Sequence, residues 1–358
     1  MRKSLLIVVD EGPAGFPADQ ATEELESLCR TAGIDIGKTL FLKVREPVSA
    51  TYFGKGKVSE ITDRLKENGL GYTVLNLDLS ATQHRNLERL WEVEILDRTG
   101  LILQIFSRHA HSAAGKLQVE LARQNYLLSR LTGRGILLSR LGGGIGTRGP
   151  GEMKLEEERR RIREQIQRAN ERLTALEEQR QRTRELRQRK GFPEITLVGY
   201  TNVGKSALLN ALCGKFSALV ADKLFATLDT TTRRLYLGES RYAVVTDTVG
   251  FVHNLPHMLV AAFHATLEGV GSSQLVLLVL DASTPLVEEH LRTTGQVLNE
   301  ISAKDVPALL VLNKSDLINA EQQERIKRKF PEGLLVSSLT GEGISDLKTA
   351  IARRLWTN

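Results

Sequence analysis

Cysteine is scarce in this chain: Cys29 and Cys213 are the only two among 358 residues. They stand far apart with no short paired spacing, which excludes a cysteine-based metal cluster. They read as small buried residues of a reducing compartment. Also missing is any run near the roughly 20 apolar residues that a bilayer-spanning helix needs. The early apolar run Ser4–Val9 is short, ends at Asp10 and lacks a small-residue cleavage site, so it is predicted as a first β-strand rather than a secretory core. The expectation is a cytoplasmic protein with no integral membrane segment, monomeric in solution, with peripheral membrane association as an alternative location. A third absence is local, because residues 123–150 contain no acid at all but five arginines. Residues 151–190 add 13 Lys and Arg against nine Glu, so 123–190 carries a surplus of nine positive charges in a chain whose net charge is +6. A basic middle on an acidic remainder points to a polyanionic partner, of which nucleic acid is the usual one.

What is present is an ordinary soluble composition, 41% hydrophobic and 26% charged, long enough for two domains and a linker. The most informative stretch is Gly199-Tyr200-Thr201-Asn202-Val203-Gly204-Lys205-Ser206, set between the apolar run 195–198 and the amphipathic run 207–212. GxxxxGK[ST] between a strand and a helix is the phosphate-binding loop. Its backbone N–H groups and the helix N-terminus face the phosphates. Lys205 is placed to reach the β- and γ-phosphates, and Ser206 offers its hydroxyl to Mg²⁺.

Three further motifs follow in order, each at the end of a predicted strand. Asp247-Thr248-Val249-Gly250 places a carboxylate to hold Mg²⁺, with a glycine whose N–H can sense the γ-phosphate. Asn313-Lys314-Ser315-Asp316 places a carboxylate that can accept from N1–H and the exocyclic amine of guanine, a donor pair that adenine lacks. Ser337-Ser338-Leu339 supplies a backbone N–H, that of Ser338, to guanine O6. Together they predict GTP and GDP as ligands. Between the phosphate loop and Asp247, a switch threonine is expected to close over Mg²⁺. Thr227, Thr230, Thr231 and Thr232 are the candidates.

The rest of the chain divides by pattern. Residues 1–115 alternate four short apolar runs with four amphipathic ones, which predicts a small, mostly parallel α/β domain. Within it, Phe53-Gly-Lys-Gly-Lys-Val58 lacks the phosphate-loop spacing and reads as a basic loop. Residues 116–190 are predicted as a helical hairpin. Leu117, Leu121, Leu128 and Leu131 line one helix, and Leu155, Ile162, Ile166, Ala169, Leu173 and Leu176 form a coiled-coil seam on the other. The hairpin tip, 133–152, is rich in glycine and carries Arg134, Arg140 and Arg148, which suit close approach to RNA phosphates. Gly191-Phe-Pro193 marks the boundary before a doubly wound, Ras-like P-loop domain over 192–358.

With these residues assembled, the chain resembles the HflX family of translation-associated GTPases, within the Obg–HflX group. The resemblance is carried by GYTNVGKS, LFATLDTTTRR, DTVGFVHNLPHMLVAAFHATLE, NKSD, SSLTGEG and, most specifically, GGGIGTRGPGEMKLEEERRRI. It extends over nearly the whole chain. It implies that Thr227 is the Mg²⁺-linked switch residue, inside a nucleotide-side segment Phe225-Ala226-Thr227-Leu228-Asp229. Ser206, Thr227 and Asp247 are then the metal ligands, and Lys205, Thr227 and Gly250 the groups that assist hydrolysis. It implies binding to the large ribosomal subunit and its rRNA, hydrolysis stimulated by the ribosome, and separation of stalled ribosomes. Asn202 matches the position at which potassium-dependent GTPases keep an Asn, which makes K⁺ a candidate further ligand. The sequence departs from the family pattern at Thr230, usually Pro, and at Met153, usually Thr. It ends soon after the last predicted helix, without the C-terminal extension of some members. Phe251 stands where many GTPases place a water-orienting Gln, so slow intrinsic hydrolysis is expected. The alternative functions are a GTPase switch for a protein or membrane partner, dimerised through the hairpin, and an RNA-remodelling module powered by the N-terminal domain.

Overall fold

Two β-sheets organise the chain. The computed structural model describes residues 3–10, 18–131, 150–214, 224–225, 229–252, 256, 259 and 269–356. The expected sites at Ala226, Thr227, Leu228, Arg134, Arg140 and Arg148 lie outside the described residues. So does most of the hairpin tip.

The first sheet contains β1 (Ser4–Asp10), β2 (Ile36–Lys43), β3 (Tyr72–Leu75) and β4 (Glu94–Leu96), in spatial order β2-β1-β3-β4 and parallel throughout. Helices α1 (Ala18–Ala32), α2 (Lys55–Glu67), α3 (Ala81–Trp91) and α4 (Arg98–His109) accompany it. The central strand β1 reads as an unbroken apolar run because both of its faces are covered. On edge strand β2, by contrast, only Leu40 and Leu42 are buried. Trp91 and Phe53 anchor the core against Leu5, Ile7, Ile61 and Leu75. Phe53 is thus a core residue, and the expected basic loop is mostly the first turn of α2, which starts at Lys55 and pairs Lys57 with Glu60 at 2.9 Å. Helix α3 starts at a reciprocal cap in which Ser80 and Gln83 satisfy each other's backbone N–H groups. Cys29 is buried here, its thiol pushed up to about 12 by desolvation and by the neighbouring Glu26. Cys213, in the second unit below, is only partly buried.

Two long helices follow, α5 (Ala113–Leu131) and α6 (Pro150–Arg189). Their apolar positions meet in two clusters. One joins Leu121, Ala169 and Leu173 with Leu117 and Ile166, and the other joins Leu131, Leu155 and Ile162 with Leu128. From Leu155 to Leu173 the predicted seam is therefore filled by α5 of the same chain, while Leu176 belongs to neither cluster. By packing, the chain divides into two compact units inside α6. Residues 1–108 and 116–173 form one unit, and residues 109–115 and 174–358 form the other. The reason is packing: up to Leu173 the seam of α6 is covered by α5, and beyond it α6 carries mostly charged and polar residues.

The second sheet contains β5 (Glu194–Gly199), β6 (Thr231–Tyr236), β7 (Tyr242–Asp247), β8 (Leu275–Asp281), β9 (Ala308–Asn313) and β10 (Leu334–Leu335). Their order is β10-β9-β8-β5-β7-β6, with only the edge pair β6–β7 antiparallel. Around this sheet run α7 (Lys205–Cys213), α8 (Val287–Glu300), α9 (Ala320–Lys329) and α10 (Ile344–Trp356). β5 and β8 are almost wholly buried, as central parallel strands must be. Because β5, β7, β8, β9 and β10 are mutually parallel, their carboxyl ends emerge on one edge, where doubly wound folds bind ligands.

Candidate functional site: a phosphate-loop nucleotide pocket

The four sequence motifs converge on that edge. Gly199 ends β5, Asp247 ends β7, Asn313 ends β9, and Ser337 follows β10 by two residues. The phosphate loop turns through left-handed backbone at Asn202 (φ 62°) and Gly204 (φ 89°) before α7 begins at Lys205. This conformation aims successive N–H groups into one concavity, as an anion requires. Lys205 is buried, and its Nζ donates to the carbonyls of Gly199 (3.1 Å) and Tyr200 (2.9 Å). Desolvation lowers its pKa to about 8, with Asp247 opposing the shift. The side chain is thus pre-placed at the loop, and an incoming phosphate would restore its preference for the charged form.

Ser206 Oγ donates to Asp247 Oδ2 at 2.6 Å. One hydroxyl and one carboxylate facing each other suit Mg²⁺, which takes one or two carboxylates and completes its shell with water and phosphate oxygens. No group of three or more His, Cys, Asp or Glu fit for a metal exists among the described residues, so the donor set is of this sparse kind.

The segment after Asp247 is locked to the phosphate loop. Thr248 Oγ1 donates to the Leu197 carbonyl at 2.7 Å, Phe251 N to Gly199 O at 3.2 Å, and Thr201 N to Phe251 O at 2.6 Å. Val249 and Val203 are buried beside it. A side chain on Gly250 would stand 2.6 Å from Thr201 Cα and 3.0 Å from Lys205 Nζ, so only glycine fits. Phe251 is 1% exposed and packs on Val198, Val270 and Val276. Its side chain is a core group and cannot orient water. Phe225 N donates to Thr201 Oγ1 at 2.8 Å, which ties the segment preceding Thr227 to the loop.

At the carboxyl ends of β9 and β10, Asn313 Nδ2 donates to the Val203 carbonyl at 2.8 Å, and Asn313 Oδ1 accepts from Ser338 N at 3.0 Å. This buried amide cross-links three of the four motifs. Lys314 adopts φ 65° and reaches Asp281 Oδ2 at 2.6 Å, which directs its stem along the carboxyl end of β8. Ser315 is buried, its N–H on the Val336 carbonyl at 3.1 Å. Asp316 is exposed, and Oδ1 accepts from Ser337 Oγ at 2.5 Å. Leu339 is 82% exposed on the same loop.

Two features have no local signal in the sequence. The Tyr200 ring stacks on His290 of α8 with centroids 3.9 Å apart and 7° between planes, which fixes the second residue of the phosphate loop. Asp229 turns its carboxylate onto His111 and Ser112: Oδ2 accepts from both backbone N–H groups at 2.8 and 2.7 Å, and Oδ1 from Ser112 Oγ at 2.5 Å. Burial pushes its pKa up, but the bonds from Ser112 and His111 outweigh it and hold the carboxyl below the usual range.

A doubly wound sheet with a phosphate loop, a hydroxyl–carboxylate pair and an Asn-Lys-Ser-Asp turn at its carboxyl edge defines a P-loop guanine-nucleotide-binding protein. Three family descriptions match along the chain: a GTP-binding GTPase N-terminal region over residues 19–107, a GTP-binding GTPase middle region over 109–187, and a 50S ribosome-binding GTPase over 194–314. The GTPase HflX of Caldanaerobacter subterraneus subsp. tengcongensis is 44% identical over 341 residues, 95% of this chain and 78% of the relative. That of Escherichia coli strain K12 is 42% identical over 335 residues, 93% and 78%. The chain belongs to the HflX GTPase family. The structure of the SsGBP–GDP complex shares the fold, with a TM-score of 0.52, 23% identity, and 98% of each chain covered. Among the described residues, no helix is long and apolar enough to cross a membrane.

Proposed function

We propose that this GTPase binds the large ribosomal subunit and couples its nucleotide state to the separation of stalled ribosomes. The observation that carries the reading is the convergence of four motifs on one sheet edge, cross-linked through the buried Asn313 amide. In the proposed site, the loop amides of 200–206 bind the phosphates, and Lys205 lies against the β- and γ-phosphate oxygens. Asp316, through the carboxylate oxygen not engaged by Ser337, pairs with the two guanine donors. Asn313 braces the loop, and the Lys314 stem covers the ring. Ser206 and Asp247 hold Mg²⁺, joined by Thr227. That ion neutralises charge on the β- and γ-phosphate oxygens when bound. Gly250 N–H faces the γ-phosphate. K⁺ beside Asn202 is a further proposed ligand.

With Phe251 buried, this chain offers no side chain there to orient the attacking water, so stimulation from outside is required. The ribosomal partner is supported by the match to a 50S ribosome-binding GTPase over 194–314 and by the positive surplus over 123–190. The dimerising coiled coil is disfavoured, because α5 occupies the seam it would need. The test is GTP turnover with and without purified large subunits. Stimulation that weakens steeply with salt, as multiple arginine–phosphate contacts dictate, is expected. Equal turnover with and without the particles would remove the ribosomal role while leaving the nucleotide site standing.

A further inference from the structure

Asp229 lies two residues beyond Thr227 and two before Thr231, which is paired in register with Asp247 on the neighbouring strand. It therefore sits between the proposed switch threonine and a fixed point of the sheet. Its carboxylate is not directed at the phosphate loop. It holds the connector between α4 and α5, a stretch 117 to 118 residues earlier in the chain that belongs to the same compact unit. Ser112 is the N-cap of α5: its Oγ accepts from Gly115 N at 2.9 Å and donates its own proton to Asp229 Oδ1. The carboxylate thus completes the cap, satisfies two further N–H groups, and places negative charge at the positive end of the helix. The fit is close. A Cβ on Gly115 would stand 2.2 Å from Asp229 Oδ1, so any side chain there would displace the carboxylate.

We propose that this clamp of Asp229 on His111 and Ser112 is where the nucleotide state acts on the start of α5, and through it on the hairpin. The inference rests on the nucleotide site proposed above. On one side, Phe225 N–H is held by Thr201 Oγ1 of the phosphate loop at 2.8 Å, and on the other Thr231 is in register with Asp247, so a nucleotide that alters either contact bears on Asp229. In this reading Asp229 is a positioning residue: its carboxylate is taken up by His111 and Ser112, and it acts through the connector it holds. Coupling of this kind is reciprocal, since a nucleotide that alters the clamp must have its own affinity altered when the clamp is broken.

The test uses the full chain, with GDP and with a non-hydrolysable GTP analogue as probes. Amide hydrogen exchange at His111 and Ser112 is expected to differ by about fivefold or more between the two bound states. Asp229→Asn and Ser112→Ala should both erase that difference. Both should also shift the GDP-to-analogue affinity ratio by the same factor, a readout that loss of a purely structural cap would not move. Ser112→Ala removes only a hydroxyl, so it serves should Asp229→Asn fold poorly. Equal exchange in the two states with nucleotide bound would overturn the inference alone, as would an affinity ratio unmoved in both variants. Failure of the unaltered chain to bind either nucleotide would overturn the GTP-site reading, and the inference with it.

Discussion

The chain contains two largely parallel sheets, and each carries polar side chains at or just beyond several strand ends; among the described residues those of the first are closed by their own contacts, and those of the second form the open edge proposed for the nucleotide. Among the described residues, the polar groups at the edge of the first sheet are closed by bonds within their own unit. Asn76, just beyond β3, both donates to the Val9 carbonyl (3.0 Å) and accepts from the Val9 N–H (2.9 Å). Asp97, just beyond β4, accepts from Gly100 N at 2.9 Å and Tyr126 Oη at 2.8 Å, and it pairs with Arg130. In the second sheet the loops run through left-handed turns at Asn202, Gly204 and Lys314, and the polar groups bond across motifs, as Asn313 does to Val203 and Ser338. The lesson is that a carboxylate at a strand end is not itself a site. What distinguishes the two edges is whether the polar groups are taken up within their own sheet and its helices or tie one nucleotide motif to another.

This contrast can be broken by experiment. The largest expected effect lies on the closed edge. Asp97 is 1% exposed, and Asp97→Ala leaves the largely buried Arg130 guanidinium without its partner; loss of one member of a buried pair costs about 3–5 kcal/mol. Denaturant unfolding should report that loss while GTP affinity stays unchanged; a drop in GTP affinity instead would mean that the first sheet takes part in the nucleotide site. On the open edge the outcome should invert. Lys205→Ala should cost about a hundredfold in GTP affinity, since truncating one partner of a buried charged contact costs about 2–5 kcal/mol. Equilibrium titration with a fluorescent guanine nucleotide checks it, and an affinity within about threefold of the parent, under 1 kcal/mol, would contradict the assignment.

Asp316→Asn should weaken GTP by roughly ten- to a hundredfold and turn preference toward xanthine nucleotides, from the loss of hydrogen bonds to a charged group, about 1.5–3 kcal/mol. Competition binding of GTP and XTP tests it, and unchanged selectivity would refute the base assignment. The smallest effect is protonic. Burial lowers the Lys205 pKa to about 8, and a bound phosphate favours the ammonium form, so binding must take up a proton above that pH. Affinity should be flat below pH about 7 and fall by a few-fold between pH about 8 and 9. Calorimetry in buffers of different ionisation enthalpy should register the uptake at pH about 8.5 and none at pH about 6.5.

Much of this is legible in the sequence because the determinants are local. The buried runs at Ser4–Val9 and Leu275–Leu280 announce central parallel strands, and GYTNVGKS carries its own loop geometry. What the sequence hides depends on long-range approach. Nothing local tells that Asp229 reaches Ser112 across 117 residues, or that Tyr200 stacks on His290, far along the chain. The division of α6 at Leu173 is hidden for a related reason: the helix runs unbroken through it, and only the end of the α5 seam marks the change. Phe251 reads from sequence as a missing glutamine, whereas its place in a buried cluster accounts for its identity.

The account depends above all on the open edge of the second sheet being a guanine-specific triphosphate pocket, and titration calorimetry of the full chain with GTP and with ATP tests this most directly. A site that pairs with both guanine donors predicts that ATP binds at least about a hundredfold more weakly than GTP. Equal affinity for the two nucleotides, with binding abolished by Lys205→Ala, would place a nucleotide at the right loop and contradict the recognition assigned to Asp316.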